Sequence, residues 1–252
     1  MFASKSILTV GLLWLAMVGV ARAATNQICT HFAHIKPGAI NKVTNGGLNW
    51  TALKLTGTTD KVVHDAKAFV GKHDLQLYTP ASNTIGASVF VKLTKPFTPL
   101  DGTRVSLTVR RSSAARTFDI QLFCGKQNSV DAEMDPHWGL LFNSYQPVTR
   151  KDTFSRVSAA WRNGHNYTFV WTFHQKNTVV TYNLKVTDAT SKRVVAYVAD
   201  IHARPGGADD ISEIHFYAAG GTNPDSTADA AEIFYIGQIC VSPEATHRSG
   251  KR

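Results

Sequence analysis

Apolar and polar residues alternate one for one along most of this chain. In "RVSLTVR", Val105, Leu107 and Val109 fall on one side, and in "TFDIQLF", Phe118, Ile120 and Leu122 oppose Thr117, Asp119 and Gln121. "YTFVWTF" groups Tyr167, Phe169, Trp171 and Phe173, and "VVTYNLKV" groups Val180, Tyr182, Leu184 and Val186. A period of two is the mark of strands with one buried face. The same reading predicts strands at "ASVFVKL", "GLLFNSY", "RVVAYVAD", "SEIHFYAA" and "AEIFYIGQICV". Gly, Pro, Asn and Asp clusters such as "TPLDGT", "WRNGHN", "RPGGADD" and "GGTNPDST" separate them by short gaps, as antiparallel neighbours require. One stretch, "DKVVHDAKAFVGK", puts Val62, Val63, Ala66, Phe69 and Val70 roughly on one side, which fits a short helix or a strand. Many short strands without βαβ alternation predict an all-β fold, a two-sheet antiparallel jelly-roll sandwich.

The ends of the chain read differently. Residues 1–23 combine Lys5, the apolar run from Ile7 to Ala21 and "ARA" before Ala24, the order of a signal peptide cleaved after Ala23. The apolar run is shorter than the roughly 20 residues that span a bilayer, so no transmembrane segment is expected. Residues 24–241 then form a single β-sandwich domain and 242–252 a flexible basic tail, with 24 to about 45 also ragged. The three cysteines sit in an oxidising compartment on this reading. Cys29 lies near the start of the mature chain and Cys240 near its end, and their pairing would tie the terminal strands together. Cys124 is left free or paired with a partner chain. "NWT" at Asn49 and "NYT" at Asn166 are glycosylation acceptors if the source is a eukaryote.

The formal charge of +9 falls to +7 when Lys5 and Arg22 leave with the leader. An exported basic protein suits acidic glycans or anionic surfaces as partners. The charges are scattered, with local basic runs only at "RRSSAAR" and "HRSGKR", so nucleic acid is not an expected partner.

The chemistry concentrates in "DAEMDPHWGLLFNSY", residues 131–145. In an extended strand Glu133 and Asp135 share a face about 6–7 Å apart, and His137 continues it. Two carboxylates and an imidazole suit a divalent transition ion completed by water, and fall short of a calcium cage. A solvated strand face with His137 beside Trp138 is the alternative.

The same stretch resembles the metal-binding segment of concanavalin A-like, L-type lectins, in which Glu-x-Asp opens a loop that reaches Asp-Pro and His-x-Gly. "DLQLYTPASNTIGASVFVKLTKPF", "WRNGHNYTFVWTFHQKNTVVTYNLKV" and "IHFYAAGG" are similar to other segments of that superfold, in the same order over residues 73–241. "PFTPLDGTRVSLTV" and "TFDIQLFCG" resemble galectin strands. The resemblance implies Glu133, Asp135 and His137 as metal ligands, with Asn143 on the following strand. This chain departs from the lectin pattern where Pro136 follows Asp135, because the loop that supplies further calcium ligands is missing.

Glucanases of the superfold carry Glu-x-Asp-x-x-Glu or Glu-x-Asp-x-Glu, and Trp138 and His137 stand at the final position, which disfavours retaining hydrolysis. A polysaccharide lyase needs a base and a neutraliser of the substrate carboxylate; His137, Tyr145, His174 and Arg162 are of suitable type. The expectation is a secreted, lectin-like carbohydrate-binding protein. Trp138, Asn143 and Tyr145 would contact an extracellular glycan, with a divalent metal as the one candidate cofactor. A polysaccharide lyase and an adhesive scaffold without a sugar site are the alternatives. Histidine protonation between pH 7 and 5 would tighten binding to an anionic partner.

Overall fold

The structure is a computed structural model that describes residues 27–45, 48–53, 59–80, 87–98, 101–112, 117–125, 127–204, 210–218 and 232–242. The leader at 1–23 and residues 243–252 of the expected tail lie outside them. In chain order the strands are β1 (Ile28–His31), β2 (Gly38–Ala39), β3 (Asn41–Asn45), β4 (Leu48–Leu53), β5 (Thr59–His64) and β6 (His73–Thr79). They continue with β7 (Ala87–Phe97), β8 (Arg104–Arg111), β9 (Phe118–Cys124), β10 (Gln127–Asp135), β11 (Gly139–Gln146) and β12 (Lys151–Val157). The last five are β13 (Asn166–Lys176), β14 (Val179–Asp188), β15 (Arg193–His202), β16 (Ile211–Ala218) and β17 (Glu232–Ser242).

Two antiparallel sheets form. The nine-stranded sheet runs β15-β14-β13-β8-β17-β6-β5-β2, with β1 added beside β17, and the eight-stranded sheet runs β12-β11-β10-β9-β16-β7-β4-β3. The alternation read from sequence is realised side by side. Val105, Leu107, Val109, Phe118, Ile120, Leu122, Tyr167, Phe169, Trp171, Phe173, Tyr182, Leu184 and Val186 are all buried between the layers. Phe118 of the eight-stranded sheet stacks on Phe234 of the other at 4.5 Å, so one ring pair crosses the interlayer. Each such side chain contributes roughly 1.5–3 kcal/mol on burial.

Three expectations change. Residues 60–72 make no helix: β5 pairs with β6 in register from Thr59↔Tyr78 to His64↔His73, where β-branched Val62 and Val63 fit a ladder. The segment after it docks on the outside of the nine-stranded sheet, where Arg110 forms an ion pair with Asp65 and donates to the Lys67 carbonyl at 2.7 Å. Gly237 lets Phe69 approach β17, because a Cβ there would stand 1.9 Å from the ring. The stretch 28–45 is not ragged, since β1, β2 and β3 lie in it. Ser242, expected in the tail, is the last residue of β17.

The expected disulfide is present. Cys29 and Cys240 stand directly opposite in the β1–β17 ladder, with Cα atoms 4.1 Å apart, and close a sequence separation of 211. Cys124 at the end of β9 is a free thiol.

Candidate functional site

The β10–β11 hairpin turns at the most conspicuous motif of the sequence. Asp135 is fully buried and accepts hydrogen bonds on Oδ1 from the amides of His137 (2.8 Å) and Trp138 (2.7 Å). Thr117 donates to its Oδ2 at 3.3 Å. Such a side-chain turn fixes the chain direction locally. Gly139 completes it at φ 86°, where a Cβ would meet the Val157 carbonyl and Ala159 amide at 2.5 Å. Trp161 Nε1 donates to the carbonyls of Asp135 and Gly139, both at 3.0 Å. Trp138 is 42% exposed and lines a cleft of about 330 Å³ with His137, Gly139, Arg156, Ser158 and Ala159.

Beyond the turn, alternation carries Asp131 and Glu133 to the outer face of the eight-stranded sheet, because Val130, Ala132 and Met134 point into the core. On β9, Asp119 and Gln121 share that face, with Glu133 paired to Asp119 and Asp131 to Gln121. Oxygens of Asp119, Asp131 and Glu133 lie within 4.8 Å of one another. Gln121 Nε2 donates to Asp119 Oδ2 (2.6 Å), and Asn128 Nδ2 donates to Asp131 Oδ2 (3.1 Å). Burial, then the charge of Asp131 and its hydrogen bond, hold the Asp119 carboxyl well above the usual range. Burial raises Asp131 against the pull of Asp119, Asn128 and Arg204. Burial, then Asp131 and Asp135, push Glu133 up to about 7. Three buried carboxylates, with Arg204 alone as an opposing charge among the groups that shift them and acting on Asp131, are costly in the ionised form.

Two further strands complete the face. From β16 come Glu213, His215 and Tyr217: His215 Nε2 bonds Glu213 Oε2 at 2.9 Å and its Nδ1 meets Tyr217 Oη at 3.2 Å. The imidazole stacks on Phe123 at 4.0 Å and lies 5.3 Å from Phe90. Burial, then Asp119 and Asp131, raise the Tyr217 phenol. From β11 comes Asn143, only 4% exposed, whose backbone oxygen accepts from Tyr182 Oη at 2.7 Å. Its side-chain oxygen and nitrogen have no hydrogen-bond partner. Cross-strand register aligns Phe154 with Asn143, Gln121 with Asp131, and His215 with both Gln121 and Phe90. The row Phe154, Asn143, Asp131, Gln121, His215, Phe90 therefore runs straight across the sheet.

The residues singled out from sequence divide between two places. Glu133 and Asn143 stand on the outer face. Asp135 is committed to the turn, and His137 and Trp138 belong to its cleft. Tyr145 is half-buried opposite Asp152 at the far end of β11, about 20 Å along the strand from the turn. Asn49 lies in β4 opposite Lys92, and Asn166 opens β13 with its amide donating to Thr190 Oγ1 at 2.9 Å. Asp119, Asp131, Gln121, His215 and Tyr217 were not singled out. The polar sides of "TFDIQLF" and "SEIHFYA" carried the signal, which only the strand order brings together.

With both layers and this face in view, the chain has the concanavalin A-like jelly-roll sandwich fold. Its sequence matches no protein-family model and no curated protein. Among solved structures it is similar to the alginate lyase Aly36B, with TM-score 0.54, 9% identity, and coverage of 87% of this chain and 97% of the lyase. The lectin UEA-II complexed with galactose gives TM-score 0.54 at 9% identity, covering 87% and 99% of the two chains. The endo-β-1,3(4)-glucanase SCLam of family GH16 gives 0.53 at 11%, covering 85% and 89%.

Proposed function

We propose that this protein is exported and binds a carbohydrate on the outer face of the eight-stranded sheet, without turning it over. The observation that carries the reading is the row from Phe154 to Phe90, which sets a phenylalanine at each end of a run of hydrogen-bonding groups across six neighbouring strands. Sugar rings need both: apolar faces stack on aromatic rings, and hydroxyls need directed donors and acceptors. Structural neighbours that include a lectin seen with galactose and an alginate lyase seen with an alginate tetrasaccharide support it. The Cys29–Cys240 disulfide and the leader pattern support export. For a eukaryotic source, the proposal includes glycans on Asn49 and Asn166. The contacts shift from the sequence reading: Asn143 stays, while Trp138 and Tyr145 flank the face from its ends.

A glycan array probed with the mature protein at pH 7 and pH 5 tests this. Binding that falls in Phe154→Ala and His215→Ala, with folding intact, is the expected result. Undiminished binding in both variants, or no binding to any glycan, would remove this face from the account.

A second reading has its own observation. The Glu213–His215–Tyr217 chain could hold an imidazole or phenol in position to take a proton from a uronic acid, as a polysaccharide lyase must. New ultraviolet absorbance from alginate, abolished by Tyr217→Phe, would establish it. Release of reducing ends without absorbance would point to hydrolysis instead.

A further inference from the structure

We propose that Asp119, Asp131, Glu133 and Asn143 form a binding site for a hard divalent cation, calcium by preference, on the outer face of the eight-stranded sheet. The carboxylate oxygens converge within 4.8 Å from two adjacent strands. Calcium holds oxygen ligands at about 2.3–2.6 Å, so ligands on opposite sides of one ion stand about 5 Å apart and this set fits around it. The donors are oxygens alone, with no imidazole or thiolate in the set, as a hard cation prefers.

Asn143 is the independent observation. The residue is 4% exposed and neither its side-chain oxygen nor its nitrogen has a partner, an arrangement that is unfavourable unless a ligand satisfies it. Ala132 pairs with Phe142, so Asn143 stands next in register to Asp131 and on the same face. Gln121 and Asn128 each hold one oxygen of Asp119 and Asp131. The other oxygen of each, Oδ1, is buried and meets no N–H or hydroxyl donor, and the two carboxyls stand within hydrogen-bond reach of each other. The Asp119 and Asp131 carboxylates are thus oriented before any ion arrives, Glu133 and Asn143 stand beside them on the same face, and water would complete six or more ligands.

This site differs from the set that the lectin resemblance implied. Glu133 is common to both, but Asp135 spends its oxygens on the turn and His137 lies in the cleft beyond it. The proposal rests on the carbohydrate reading only for the ion's role, which is to neutralise an acidic floor and offer open coordination positions to sugar hydroxyls or carboxylates.

The test uses the mature protein stripped with a chelator, then titrated with calcium and separately with magnesium, reading calorimetric heat and Tm without any glycan. At a hundredfold excess over Kd, calcium should raise Tm by about 5–10 °C. Asp131→Asn should abolish the response while leaving the metal-free Tm at or above that of the parent. Asn143→Ala should weaken the affinity about tenfold, and His137→Ala should leave it unchanged. No heat and no shift at about 10 mM calcium, above the 10⁻⁴–10⁻³ M range of extracellular calcium modules, would overturn the proposal. So would a response that survives Asp131→Asn or vanishes in His137→Ala. A calcium response without glycan binding defeats the carbohydrate reading alone, and glycan binding without a calcium response defeats only this one.

Discussion

Two regions of the molecule bury charge in opposite ways. In the nine-stranded sheet, buried arginine meets acid: Arg110 is paired with Asp65, lies 3.8 Å from Asp74 and stacks over Tyr235 at 4.3 Å. Arg111 is fully buried beside Phe234; burial pulls its guanidinium down, and Glu232, then Tyr167 and Asp135, counter that pull. On the eight-stranded sheet, Asp119, Asp131 and Glu133 meet chiefly one another. The first arrangement joins unlike charges within the fold. The second is complete only with a proton or a ligand, which separates a structural charge cluster from a functional one.

Substitutions in each cluster should therefore act in opposite directions. The largest effect is expected for Arg111→Met, which strands Glu232 in the interior and should cost about 3–5 kcal/mol in urea unfolding. A gain in stability would show that the arginine cluster is not self-sufficient.

Asp74 comes next. Burial pushes its carboxyl up to about 7 despite the Phe69 amide, and Arg110 is shared with Asp65. A folded-state value above the unfolded one means that the native state holds the proton more tightly. Its contribution is thus full below about pH 4 and is lost as pH rises through 7, by on the order of 4 kcal/mol. Asp74→Asn should flatten that part of the stability profile, and an unchanged slope between pH 4 and 7 would refute the assignment.

Asp119→Asn should stabilise the metal-free protein by about 1 kcal/mol at pH 7.5, because an amide replaces a carboxyl whose ionised form is disfavoured by burial and by Asp131. Denaturation with chelator present reads this, and a loss of stability would show that the acids are internally balanced after all. The smallest change in stability belongs to Phe154→Ala. The ring is 63% exposed, so unfolding should move by less than about 0.5 kcal/mol, whereas glycan affinity should fall five- to tenfold.

The contrast also marks what a linear reading could reach. Core faces were legible because large apolar side chains at every second position can bury only one way, and Tyr167, Phe169, Trp171 and Phe173 do so. The terminal disulfide was legible from cysteine placement. Residues 60–72 stayed open between helix and strand because a loop closing over a sheet also gathers Phe69 and Val70 on one side, and the strand is what forms over 60–64. The site was half legible. Glu133 stood out within its own strand, but Asp119 read as the solvent side of an amphipathic strand. What places it against Asp131 and Glu133 is the β9–β10 register, a pairing between strands that local periodicity does not encode. Asp135 looked like a ligand because a turn-forming aspartate and a metal-binding one share the same side chain.

The order of strands carries one more consequence. Both late strands lie well inside their sheets: β17 sits between β8 and β6, and β16 between β9 and β7. A chain emerging from the ribosome thus exposes unfilled gaps in both layers until its last two strands arrive, and Cys29 waits for a partner 211 positions behind it. Assembly is post-translational in character and slow, dominated by distant pairings, and it leaves sheet edges open to other chains meanwhile. A nascent chain halted before residue 211 would therefore be a substrate for chaperones rather than a partly built domain.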